Sequence, residues 1–177
     1  MDDGGILALV RDGRLEEAFT QIVNLYSERL YWHIRTIVGT HEDADDVVQD
    51  SFIKIWNALP SFRGEAQLFT WVWRIATNEA INHARREKLR TTRDIDSLPE
   101  RGGSSGVDGD EAQRLLSRAI ETLSPRQRAV FSMRYFDQMP YEQISRITGT
   151  SVGALKASYH FAENKVRTFI SNHFHKF

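Results

Sequence analysis

The chain has 177 residues, 41% of them hydrophobic, which suffices for one mid-sized core or two small ones and excludes a wholly disordered protein. It contains no cysteine, so disulfides, thiolate metal sites and cysteine nucleophiles are excluded. The net charge of −1 conceals four blocks, with Lys/Arg against Asp/Glu at six to twelve over residues 1–70, five to two over 71–90, two to six over 91–112 and ten to four over 113–177.

The opening MDDGGILALVRDG carries acids where a secretory signal needs positive charge. No apolar run approaches the roughly 18 residues of a membrane span, so a cytoplasmic protein without membrane insertion is expected. Leu15, Phe19, Ile22, Tyr26, Leu30, Ile34 and Val38 recur at spacings of three and four, which predicts one long amphipathic helix. A second helix is predicted from about Asp43 to Leu59, stopped by Pro60, and a third from about Leu68 to Arg90. Then TTRDIDSLPERGGSSGVDGDEA breaks the pattern with glycines, serines, a proline and acids, reading as a flexible linker over 93–112. Its GGSSG is not a phosphate-binding loop, because no Gly-Lys-Ser/Thr follows it.

Beyond the linker the punctuation is sharp. SPRQ at 124–127 gives Ser124 as N-cap, Pro125 at the first helical position and Gln127 as the reciprocal cap. Pro140 opens YEQISRIT, and GTS at 149–151 gives a glycine turn and Ser151 as N-cap of a helix through about Phe169. Two helices joined by a tight glycine turn make a helix-turn-helix pattern. The fold class is all-α, with two small helical domains over 1–92 and 113–177.

Three stretches carry chemistry. In EDADDVVQD the helical wheel turns Ala44, Val47, Val48, Ser51, Phe52, Ile55, Ala58 and Leu59 inward, and Asp46, Gln49, Asp50, Ile53 and Asn57 outward. Glu42, Asp43 and Asp45 suit a helix start, where acids complement the macrodipole. Asp50 in the next turn and the aliphatic Ile53 on the wet face are not explained that way. A mixed acid, amide and aliphatic patch suits docking to a basic protein surface. No Glu-x-x-His pair accompanies Asp46 and Asp50, no nucleophile or orienting cation attends them, and His41 reads as a solvated turn residue. No metal, cofactor or catalytic residue is therefore expected.

In FTWVWRIATNEAINHARREKLR, Val72, Trp73, Ala76, Ala80 and Ala84 share an inner face, while Trp71, Arg74, Asn78, Asn82 and Arg85 line the outer one, with Ile75 near it and Arg86 beside it. An exposed aromatic with amides and guanidiniums suits single-stranded nucleic acid, and Phe62 and Arg63 in the preceding loop would border a pocket for an unstacked base. Solvated arginines beside a tryptophan that covers a neighbouring helix would give the same pattern. In the helix-turn-helix, Ser151, Gly153, Lys156, Ala157 and His160 lie toward the groove-facing side, Val152, Leu155, Tyr159 and Ala162 inward, and Arg126, Arg128 and Arg146 are placed for phosphates.

Taken in order, these pieces resemble a bacterial sigma factor of the extracytoplasmic-function (ECF) group. EDADDVVQDSFIKIW looks like the family helix that binds the β′ clamp helices of RNA polymerase, with Asp46, Gln49 and Asp50 on its motif positions. FRGEAQLFTWVWRIATNEAINHARR resembles the segment that recognises and melts the minus-ten element, with Asn78 and Asn82 on positions that contact the non-template strand. LSPRQRAVFSMRYFDQMPYEQISRITGTSVGALKASYHFAENKVR is similar to the minus-thirty-five reader. Ser158, Phe161 and Glu163 stand where basic residues are common, and Pro140 where a capping Ser or Thr is frequent. The resemblance implies a region 2 bundle, a linker and a region 4 helix-turn-helix in a non-catalytic initiation subunit of a stress response. Its implied partners are core RNA polymerase, through the β′ clamp helices and the β flap, promoter DNA, and an anti-sigma factor. Two other readings make different predictions: a stand-alone regulator would bind duplex DNA without polymerase, and a metal enzyme would lose activity on Asp46→Ala or Asp50→Ala.

Overall fold

The computed structural model describes residues 3–93 and 111–174, which form α1 (Asp3–Arg11), α2 (Leu15–Val38), α3 (His41–Ala58), α4 (Leu68–Arg93), α5 (Glu111–Glu121), α6 (Pro125–Phe131), α7 (Tyr141–Thr148) and α8 (Val152–Phe174). No strand occurs among the described residues, in agreement with the all-α expectation. The expected linker shrinks at both ends, because α4 continues to Arg93 and α5 opens at Glu111; the rest of it lies outside the described residues.

Helix α1, which the sequence pattern did not separate from its surroundings, buries Ile6, Leu9 and Val10. Helices α2, α3 and α4 pack on one another around Ile22, Leu30, Ile34, Ile37, Val47, Ile55, Leu59, Val72, Trp73 and Ala76. Side chains of this size contribute about 1.5–3 kcal/mol each when removed from water. The α2–α3 corner is set locally. Gly39 takes the left-handed conformation at φ 95° and donates its N–H to Arg35 O, and Thr40 Oγ1 then accepts the Asp43 N–H at 3.1 Å.

The second bundle gathers α5, α6 and α8 around Ala119, Ile120, Leu123, Phe131, Ala162 and Val166. Ser124 and Gln127 form the reciprocal cap read from the sequence, at 3.3 and 3.0 Å. Helix α6 runs into one π-helical turn, Ser132–Phe136, in which the Asp137 N–H reaches back five residues to Ser132 O. Pro140 precedes α7, and the Gly149 N–H closes it on Ser145 O at 2.8 Å with φ 70°. Ser151 Oγ accepts the Ala154 N–H at 3.2 Å to start α8. The two bundles touch. One buried cluster runs from α1, α2 and α4 into Ala129, Val130, Met133, Met139, Ile144, Ile147 and Leu155.

Candidate functional site

Helix α3 presents the outward face that its periodicity predicts: Asp46, Gln49, Asp50, Ile53 and Asn57 are all exposed, Ile53 at 52%. Beside this face lies a groove of about 390 Å³ lined by Phe19, Val23, Gln49, Phe52, Ile53 and Trp56. Phe19 holds the groove's shape by meeting Phe52 and Trp56 edge-on, at 6.1 and 5.2 Å between ring centres. Asp46 and Asp50 make no ion pair among the described residues. Asp43 differs from both: its Oδ1 lies 2.8 Å from His83 Nε2, tying the start of α3 to α4. His41 is the first residue of α3 rather than a solvated turn residue, and its ring stacks on Tyr31 and hydrogen-bonds the phenol. No group of three His, Cys, Asp or Glu suited to a metal ion occurs among the described residues.

On α4, Arg74, Asn78, Asn82, Arg85 and Arg86 are exposed in a continuous row. Trp71 is half-buried rather than exposed, because its ring lies against Phe62 at 4.7 Å and 32°. Phe62, expected to border a pocket, is 7% exposed and sits beneath the tryptophan, whereas Arg63 is exposed with Nη1 3.5 Å from Pro60 O. Under this row, Glu79 is buried at 6% exposure and paired with Lys54 of α3, with Arg86 Nη2 at 3.9 Å. That pairing offsets the cost of burying the carboxylate and fixes α4 against α3.

In the second bundle Arg126, Arg146, Ser151, Lys156, Ala157 and His160 are exposed, while Leu155 and Ala162 are buried as read from the sequence. His160 Nε2 lies 3.0 Å from Asn164 Nδ2, and Lys156 Nζ is 5.9 Å from the Tyr141 ring centre. Arg128 does not present itself to a phosphate. Its guanidinium donates to Leu123 O at 3.1 Å, Glu121 O at 2.8 Å and, across the bundles, Ile37 O at 2.9 Å. Three carbonyls hold it down.

Sequence reasoning missed one polar cluster completely. His33 is 2% exposed, with Nε2 2.8 Å from Thr77 Oγ1 and Nδ1 3.3 Å from Ser132 Oγ. Burial pushes its pKa down to about 4. The only sequence signal was a histidine on an apolar helix face, and its partners are 44 and 99 residues away.

The Sigma-70 region 2 family matches residues 22–90, and the Sigma-70, region 4 family matches residues 113–166. The ECF RNA polymerase sigma-E factor of Escherichia coli K12 is 30% identical over 172 residues, covering 88% of this chain and 90% of that protein. This chain belongs to the ECF sigma factors. Sigma factors of this group are regulatory initiation factors that direct promoter-specific transcription by RNA polymerase. The fold of this sigma factor is shared with sigma factor RpoE in complex with the anti-sigma factor NepR from Bartonella quintana, at 23% identity, TM-score 0.72, covering 86% of this chain and 96% of that one. It is likewise shared with CnrH in complex with the cytosolic domain of CnrY, at 22% identity, TM-score 0.71, covering 96% of this chain and 97% of that one.

Proposed function

We propose that this ECF sigma factor divides initiation among three surfaces. Asp46, Gln49, Asp50, Ile53 and Asn57 on α3 dock the β′ clamp helices. Trp71, Arg74, Asn78, Asn82, Arg85 and Arg86, with Arg63 of the adjoining loop, take the melted minus-ten strand, and Phe62 supports Trp71 from below. Arg126, Arg146, Ser151, Lys156, Ala157 and His160 hold the minus-thirty-five duplex, with the second bundle also meeting the β flap. The functional limits are 1–92 for the polymerase-binding and melting domain, 93–112 for the connector and 113–177 for the upstream reader.

The observation that carries this reading is the exposed row Arg74, Asn78, Asn82 and Arg85, which runs along α4 from the half-buried Trp71. Guanidiniums answer phosphates, amides answer base edges, and an indole offers a stacking face. The sigma factor RpoE of like fold is in complex with the anti-sigma factor NepR, which supports an anti-sigma partner for this chain. The test is capture of core RNA polymerase by the full chain, followed by run-off transcription on genomic DNA from the same source. Absence of both capture and transcript would refute the reading.

A further inference from the structure

The later cations of α8 are engaged within their own bundle. Lys165 Nζ donates to Thr122 O at 2.6 Å, and Arg167 Nη2 pairs with Glu163 Oε1 at 3.2 Å. Lys156, with Nζ 5.9 Å from the Tyr141 ring centre, is the only Lys or Arg over residues 152–162. The same stretch exposes an aromatic. Phe161 is 58% exposed, whereas Tyr159, two residues earlier, packs its ring on Phe131 and Tyr141. A single exposed apolar side chain is ordinary on a protein surface, so what matters at Phe161 is its position.

Phe161 follows Ala157 by four residues and Ala154 by seven, so the three share one exposed side of α8. A long side chain on a helix leans back toward the N-terminus. That lays the ring over the turn of Ala157, toward the end assigned to the major groove. The methyl side chains of Ala154 and Ala157 leave its approach open, and His160 on the adjoining strip is engaged by Asn164 Nδ2 at 3.0 Å. The major groove distinguishes base pairs by hydrogen-bonding edges and by one apolar group, the thymine C5-methyl. Bidentate guanine reading needs Arg or Lys. A phenylalanine has no donor or acceptor to offer a base edge, but it fits the methyl.

We propose that Phe161 is a specificity-determining residue of the minus-thirty-five surface: its ring reads the C5-methyl of a thymine, so this sigma factor selects a T·A pair where a cationic side chain would select G·C. The inference rests on the initiation reading above and names the base that its upstream surface takes. Contact between ring and methyl removes apolar surface of both from water. A G·C pair at the same step would instead present polar edge atoms, which the ring strips of water without replacing their hydrogen bonds.

The test uses holoenzyme formed from the full chain and core polymerase, on a promoter recovered by run-off transcription with its upstream element randomised. Sequenced transcripts from the native chain should enrich thymine at one step of that element. Phe161→Ala should lose the preference and Phe161→Arg should move it to guanine. Helix content of both variants, read by circular dichroism, should not change, because the position is exposed. Replacing that thymine by deoxyuridine removes the methyl alone. It should weaken promoter binding about fourfold for the native chain, the worth of one buried CH₂ group, and leave Phe161→Ala unaffected. Equal sensitivity to deoxyuridine in both proteins overturns the methyl reading while transcription stands. So does a base preference unchanged by Phe161→Ala. No transcript from any template with the native chain overturns the initiation reading, and this inference with it.

Discussion

Phe62 and Trp71 lie 4.7 Å apart between ring centres, the phenylalanine buried and the indole half open to solvent. One ring is buried and the other half open, so their truncations are expected to separate. Trp71→Ala is expected to leave polymerase capture intact and to abolish permanganate-reactive thymines at the promoter. Phe62→Ala is expected to cost about 3 kcal/mol of stability as a core truncation, visible in the urea midpoint. Normal open complexes with Trp71→Ala would remove the indole from the melting step.

The α3 face makes a prediction about binding alone. Asp46→Arg combined with Asp50→Arg should reduce co-purification with core polymerase by at least about tenfold, because close opposite charges at an interface become like charges. The helical circular dichroism spectrum should not change, since both positions are exposed and unpaired among the described residues. Undiminished capture would sink the assignment of this face.

Much of this surface was legible in the sequence, for a physical reason. On α3 the wheel places Asp46, Gln49, Asp50, Ile53 and Asn57 outward without any knowledge of neighbours, because a 3.6-residue period and one buried face determine it. The caps at Ser124, Gly149 and Ser151 are equally local, each a hydrogen bond within a few residues. What stayed hidden depends on contacts far along the chain. No local rule places His33 against Ser132, 99 residues away, or directs Arg128 toward Ile37 O instead of a phosphate. Phe62 fell to the same difficulty: a loop aromatic reads as exposed until the helix that covers it is in place.

His33 sets a pH dependence with a definite sign. Its folded pKa of about 4 lies below the ordinary histidine value of about 6.5, so the unfolded chain binds the extra proton first. The stability it contributes is complete above pH 6.5 and is lost as pH falls toward 4. About 2 kcal/mol should disappear between pH 7 and pH 5 from this group. Comparing urea unfolding of the native chain and of His33→Gln at the two pH values isolates the effect from the carboxylates. An equal loss in both proteins would exclude His33 as its source.

Gly64 offers a test of the loop that carries Arg63. Its φ is +78°, and a Cβ at this position would stand 2.6 Å from Leu7 Cδ2 of α1. Gly64→Ala should therefore lower stability by about 1–2 kcal/mol through left-handed strain and the clash. Adding Leu7→Ala should relieve the clash and leave the strain, so a double-mutant cycle reads the two apart. Additivity of the two single changes would show that the methyl and Leu7 never meet.

The π-helical turn at Ser132–Phe136 also determines how the helix-turn-helix is aimed. Such a turn holds one residue more than an α-helical turn, and that residue advances everything after it by about 100° around the helix axis. Here the phase places Ser132 and Met133 against the first bundle while Tyr135 and Phe136 remain exposed. Deleting one residue within 132–136 is expected to preserve helix content and rotate α7 and α8 out of phase with α4. Spin labels on Glu16→Cys and Thr168→Cys, one exposed position in each bundle, would then report a changed distance between the bundles. The orientation of the helix-turn-helix is in this way encoded as a count of residues, independent of which side chains it carries.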